Sequence, residues 1–172
     1  VTHDGVDAIG FVGSSATAEK IVRSAGLKRS IIEASGNGPV VVLADADIAK
    51  AAEAAVYGAY WNAGQVCCAT ERVIVDASIK DQFAEAARKA AEAVVLGDPF
   101  DKNTTMGPLA NPRRLDAMEA IVQDVKARGG KIVTGGKRHG NQGYFFEPTV
   151  ITDVPDDSKI MTEEPFGPVA PI

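Results

Sequence analysis

Ala8-Ile9-Gly10-Phe11-Val12-Gly13-Ser14-Ser15 decides how the rest of the chain is read. A short apolar run reads as a buried strand, and Ser14 and Ser15 are capping residues ahead of a helix predicted over 16–25. Ser30-Ile31-Ile32-Glu33 then reads as a second strand, broken by Ser35-Gly36-Asn37-Gly38-Pro39, and Val40-Val41-Val42-Leu43 as a third. The Gly- and Pro-rich break is a candidate domain junction.

The same alternation continues outward. Asp45 and Asp47 suit the start of a helix over 48–61, and Asn62-Ala63-Gly64 stops it just before two cysteines. A strand is predicted at 72–75, then a helix capped by Ser78 and running to about residue 94, ended by Gly97-Asp98-Pro99. Beyond Met106-Gly107-Pro108 a helix is predicted over 112–128, a strand at 131–134, and strands at 144–146 and 149–151. Strands alternating with helices imply an α/β fold, a mainly parallel sheet flanked by helices.

Bulk properties narrow the function. The 172 residues are 45% hydrophobic and 24% charged, ordinary values for a globular protein. Eighteen basic against 23 acidic residues give a net charge of −5, with no basic block to follow a phosphate backbone, so nucleic acid is not an expected partner. The most apolar short run, at 40–44, falls far below the roughly 20 residues of a membrane span, so no membrane partner is expected. The two cysteines, Cys67 and Cys68, are adjacent and poorly placed for a structural disulfide, which suits a reducing, cytoplasmic setting. His3 and His139 lie far apart, and no spacing resembles a metal site. A first residue other than methionine, with a strand following almost at once, suggests a segment of a longer protein.

Four places carry possible chemistry. Cys67 follows Asn62-Ala63-Gly64-Gln65-Val66 on a loop after a helix; a thiol there is either an inert small core residue or, once ionised, a nucleophile toward carbonyl carbon. Glu33 ends an apolar strand, where α/β enzymes place chemistry; its carboxyl either reaches solvent or, with a raised pKa, relays protons near neutrality. Gly13-Ser14, between strand and helix, offers a phosphate-facing turn or a plain capped helix. Glu163-Glu164-Pro165-Phe166-Gly167-Pro168 reads as an ordinary surface turn, or as one in which Glu164 accepts from ribose hydroxyls and Phe166 supports a flat ring.

In this order, Gly13-Ser14, Glu33-Ala34-Ser35-Gly36-Asn37-x-Pro39, Gly64-Gln65-Val66-Cys67 and the Glu164-Pro165-Phe166-Gly167-Pro168 turn closely resemble the aldehyde dehydrogenase superfamily. Asp98-Pro99-Phe100, Met106-Gly107-Pro108-Leu109 and Gly143-Tyr144-Phe145-Phe146-Glu147-Pro148-Thr149 are similar to further family segments. The resemblance implies a catalytic domain at 35–172, incomplete at its C-terminus, preceded at 1–34 by the end of a Rossmann-like dinucleotide-binding domain. It implies oxidation of a small-molecule aldehyde to a carboxylic acid with NAD or NADP, and an intact enzyme that is a dimer or tetramer.

By the same resemblance Cys67 is the nucleophile and Glu33 the general base, Gly13 and Ser14 face the cofactor pyrophosphate, and Glu164 and Phe166 hold the nicotinamide ribose and ring. The backbone N–H of Cys67 is one oxyanion donor, whereas the side-chain amide that accompanies it in the family has no counterpart upstream here. Two positions depart from the pattern. Ala34-Ser35 stands for a usual Leu-Gly, and Ala18 stands where glycine often closes the first motif; Ser35 is expected to restrict the backbone near the nicotinamide. The isolated segment is therefore expected to bind cofactor poorly and turn over little. A cofactor-independent thiol esterase and a non-catalytic fragment are the alternatives.

Overall fold

The computed structural model describes residues 1–172, which divide into two compact units, Val1–Gly36 and Asn37–Ile172. The first ends inside the Gly- and Pro-rich break. Its strands β1 (Ala8–Gly13) and β2 (Arg29–Ala34) run parallel, with Ala8 opposite Arg29 and Gly13 opposite Ala34. The crossover is α1 (Ser15–Ala25), which buries Ala18 and Ala25 and is ended by Gly26 at a φ of 62°. Ser14 occupies the cap position, but its hydroxyl donates to Thr17 Oγ1 rather than capping the backbone.

In the second unit β3 (Gly38–Val42) pairs parallel with β4 (Thr70–Val75), and α2 (Ile48–Tyr60) forms the crossover. Asp47 caps α2 through the N–H of Lys50, while the small buried residues Ala52, Ala55 and Ala59 let the helix pack closely. A 3-10 turn, Trp61–Gly64, follows at once. Next come α3 (Lys80–Glu92) and α4 (Pro112–Ala127); the latter has Asn111 as its cap and proline in its first turn. The strands β5 (Lys131–Thr134), β6 (Thr149–Thr152) and β7 (Val169–Pro171) form a three-stranded sheet, with the short helix α5 (Lys159–Thr162) between β6 and β7. Phe83, Met118, Val125, Phe146, Ile151 and Ile160 centre the core.

Three of the four strand pairings are parallel; β5 with β6 is antiparallel. The fold is α/β, as the alternation predicts. Four details differ from expectation. Ser78 does not cap α3: its hydroxyl and N–H both donate to Asp76 Oδ1, and Ile79 takes the cap position. The strand expected at 144–146 reduces to one bridge between Phe146 and Arg138, because Phe146 is held as a core side chain and the preceding loop closes on itself. Neither β7 nor α5 was foreseen, since Pro168, Pro171 and the acidic run around them carry no strand or helix periodicity. No helix is long and apolar enough to cross a membrane.

Candidate active site

Cys67 owes its position to a reversal of the chain at the end of α2. Asn62, Ala63 and Gly64 all adopt left-handed φ values, 52°, 54° and 71°, a conformation that costs any residue with a Cβ. Side chains hold the reversal: Asn62 Nδ2 donates to the Gln65 carbonyl at 3.2 Å, and Gln65 Nε2 donates to the Asn62 carbonyl at 3.0 Å. Gln65 Oε1 in turn accepts from the Ala110 N–H at 2.8 Å, fixing the loop to the segment before α4. Ala69 N–H closes on the Val66 carbonyl, so Cys67 and Cys68 occupy the exposed tip of a tight turn. Both cysteines are free thiols.

The turn at 163–168 sits directly on this loop. A Cβ at Gly64 would stand 2.1 Å from the Gly167 carbonyl oxygen, and one at Gly167 would stand 2.1 Å from Met118 Sδ on α4. Gly64 therefore requires glycine, as does Gly38, where a Cβ would stand 2.6 Å from the Ala69 carbonyl, whereas a Cβ at Gly167 would force the buried Met118 side chain to shift. Pro165 and Pro168 are fully buried, and Arg114 donates to the Pro165 carbonyl at 3.3 Å. Asn37 Nδ2 donates to the Glu163 carbonyl, and Arg72 donates to the Asn37 carbonyl. The expected surface turn is thus a buried clamp, carrying Glu164 and Phe166 half-buried, with Phe166 at a φ of 50°.

Glu33, Gly13 and Ser14 belong to the first unit. The β1–β2 register places Val12 opposite Glu33 and Gly13 opposite Ala34, so the three residues gather at the C-terminal end of two parallel strands. Ser35 adopts the left-handed region, φ 57°, where a glycine would be unstrained. It is braced there by its N–H donating to the Gly13 carbonyl at 2.9 Å and its hydroxyl accepting from the Ser15 N–H at 3.0 Å. Glu33 is exposed rather than walled by apolar side chains of its own unit. No acid lies in the first turn of α1, which leaves that helix end compatible with an anion.

The sequence reading missed the roles of three residues. Gln65 and Arg114 tie the loop and the turn through main-chain atoms, which leaves no trace in residue spacing. Glu71 is the buried carboxyl, 2% exposed, on the strand that leaves the cysteine loop. Burial first, and the charge of Glu164 second, push it up to about 7 against the pull of the Phe166 and Gly38 amides and of Arg72. An acid in the run Thr70-Glu71-Arg72-Val73-Ile74-Val75 was the available signal, missed because the strand was begun at Arg72. No group of three His, Cys, Asp or Glu side chains is placed to hold a metal ion.

The sequence model of the Aldehyde dehydrogenase family matches residues 1–172. The chain is 41% identical over 174 residues to a mitochondrial succinate-semialdehyde dehydrogenase of Arabidopsis thaliana, covering 100% of this chain and 33% of that one. Among solved structures, a betaine aldehyde dehydrogenase from Staphylococcus aureus in complex with NAD+ superposes with a TM-score of 0.94 at 37% identity, covering 98% of this chain and 35% of the other. An E. coli NADP dependent enzyme gives a TM-score of 0.94 at 35% identity, covering 99% and 36%. The chain spans about a third of the length of the relatives it matches.

Proposed function

Because the chain belongs to the aldehyde dehydrogenase family, we propose that it is the cysteine-bearing portion of an enzyme that oxidises an aldehyde to a carboxylic acid with NAD+ or NADP+. The observation that carries this is the exposed Cys67 on a loop locked against the Glu164–Phe166 turn by the contact of Gly64 with Gly167. A thiol on a rigid, accessible loop suits attack on a carbonyl; an inert core thiol would be buried.

The Cys67 thiolate bonds to the aldehyde carbon, whose oxygen takes up charge facing the Cys67 N–H, an amide that no main-chain bond within the chain engages. When bound, the nicotinamide supplies the acceptor for the hydride that leaves this carbon as the carbonyl re-forms. The acyl group then remains on sulfur as a thioester. Glu33 takes a proton from water as the water oxygen attacks, and the C–S bond breaks to release the acid and the thiolate. Gly13 and Ser14 receive the pyrophosphate beside α1, while Glu164 accepts from ribose hydroxyls and Phe166 backs the ring. The acid-free first turn of α1 and the clamped 163–168 turn support these roles. Residues 1–34 are then the end of the dinucleotide-binding domain and 35–172 part of the catalytic domain. The intact enzyme is a dimer or tetramer in a reducing compartment such as the cytoplasm, which suits two exposed free thiols.

The test is NAD(P)H absorbance in the full-length polypeptide with a panel of aldehydes. Cys67→Ser is expected to lower turnover by about a thousandfold or more. Glu33→Gln should leave a burst of reduced cofactor followed by slow steady turnover, because thioester hydrolysis is the step it serves. Cofactor reduction that survives Cys67→Ser would sink the assignment. Ester hydrolysis dependent on Cys67 with no cofactor reduced by any aldehyde would favour the thiol esterase. Residues 1–172 alone are expected to turn over little.

A further inference from the structure

Glu71 lies on β4, 2% exposed, and neither of its carboxyl oxygens has a hydrogen-bond partner. Buried polar groups are nearly always paired, so an unpaired carboxyl in a packed region calls for an explanation. Three segments meet around it. The main-chain amides of Gly38, at the start of β3, and of Phe166, in the 163–168 turn, lie close enough to favour its anion without making a well-formed hydrogen bond. The charged side chains facing it are Glu164 from the turn and Arg72 from its own strand. Around this point Asn37 reaches the Glu163 carbonyl and Arg72 reaches the Asn37 carbonyl, while Asn37 Oδ1 and Arg72 Nε stay unpartnered. The same turn holds Phe166 at a φ of 50°, a strained conformation for a bulky residue that persists only where its surroundings enforce it.

We propose that Glu71 is a positioning residue that holds the Glu164-Pro165-Phe166 turn against β3 and β4 in its protonated form, and that loss of the proton loosens the turn. With the cofactor roles of Glu164 and Phe166 proposed above, on which this consequence rests, the looser turn binds the nicotinamide half of the cofactor less well. The neutral carboxyl faces Glu164 without repulsion. The ionised one confronts a like charge where little water is present to screen it, and the turn is the element that can give way. Burial and Glu164 push the carboxyl up to about 7, so the change falls near neutral pH.

The experiment uses the full-length polypeptide. Amide hydrogen exchange of peptides covering 163–168 is followed at pH 6 and pH 8.5, with rates corrected for intrinsic chemistry, alongside Kd for NADH and NADPH by fluorescence. In the native protein, protection of the turn should fall at least fivefold at the higher pH and Kd should rise at least threefold. In Glu71→Gln both should stay at their pH 6 values. Glu71→Met, which keeps the volume and also lacks charge, should give the same flat profiles and serves if the glutamine variant does not fold. A native turn whose protection ignores pH, or neutral variants that keep the native pH response, overturns the proposal. If the turn responds as expected and neither cofactor binds at any pH, the positioning role stands and the cofactor reading of Glu164 and Phe166 falls.

Discussion

The cysteine loop and the glutamate strand tip are built in opposite ways. Around Cys67 the geometry comes from main chain pressed on main chain: Gly64 on the Gly167 carbonyl, Gly38 on the Ala69 carbonyl, with Gln65, Arg114 and Asn37 bonding backbone atoms across elements. Around Glu33 there are two paired strands and one helix, and much of their apolar surface is open, with Val12 at 74% and Ile31 at 82% exposure. The cysteine loop is thus fixed by contacts within its own unit, whereas the glutamate strand tip leaves apolar surface open. The cysteine loop should be brittle to single changes, and the glutamate strand tip tolerant of them.

The hardest blow to that contrast is predicted at Gly64. Gly64→Ala forces a Cβ into the Gly167 carbonyl at a left-handed position and should cost about 4 kcal/mol or more, read as a large fall in thermal midpoint. A mild effect there would mean the clamp is soft.

Glu71 sharpens the comparison through pH. Its folded pKa of about 7 exceeds its unfolded 4.5, so the native state binds the proton more tightly in between. The stability contribution is present below pH 4.5, is lost as pH rises to 7, and does not change further above it. Glu71→Gln should therefore gain on the native protein by roughly 3 kcal/mol from pH 4.5 to pH 8, read by denaturant titration at each pH. Parallel stability curves would refute the link.

Gln65→Ala removes the bonds to Ala110 and Asn62 and should cost about 1 kcal/mol, with faster exchange confined to the cysteine loop. On the tolerant side, Ser35→Gly loses the bond to Ser15 but relieves a left-handed serine, so the two effects should nearly offset, to within about 0.5 kcal/mol. A large loss there would show that the first unit is as tightly specified as the second.

The strands and helices that announce themselves by local pattern were legible: β1 and β5 fall where the apolar runs predict, and Gly64 ends the turn after α2 as a helix stop should. The motifs also pointed to Cys67 and the 163–168 turn as candidates. What stayed hidden depends on contacts distant in sequence. A run of Glu, Pro and Gly reads as surface, yet Pro165 and Pro168 are buried because Gly64 and Met118 offer a seat roughly fifty to a hundred residues away in the chain. Glu71 was passed over for a related reason: a single acid beside an arginine looks solvated until the turn that covers it is known. The supposed Ser78 cap shows the local limit, since Asp76 competes for the same hydroxyl two residues earlier.

The contact of Gly64 with the Gly167 carbonyl also bears on how variants of this protein can be bred. Because one partner is a main-chain oxygen, no second substitution can make room for a side chain at residue 64, and a mutant library diversified there should return only glycine. Diversity belongs instead at Val66 and Cys68, which flank Cys67 with less confined side chains, where shape can change without first undoing the clamp.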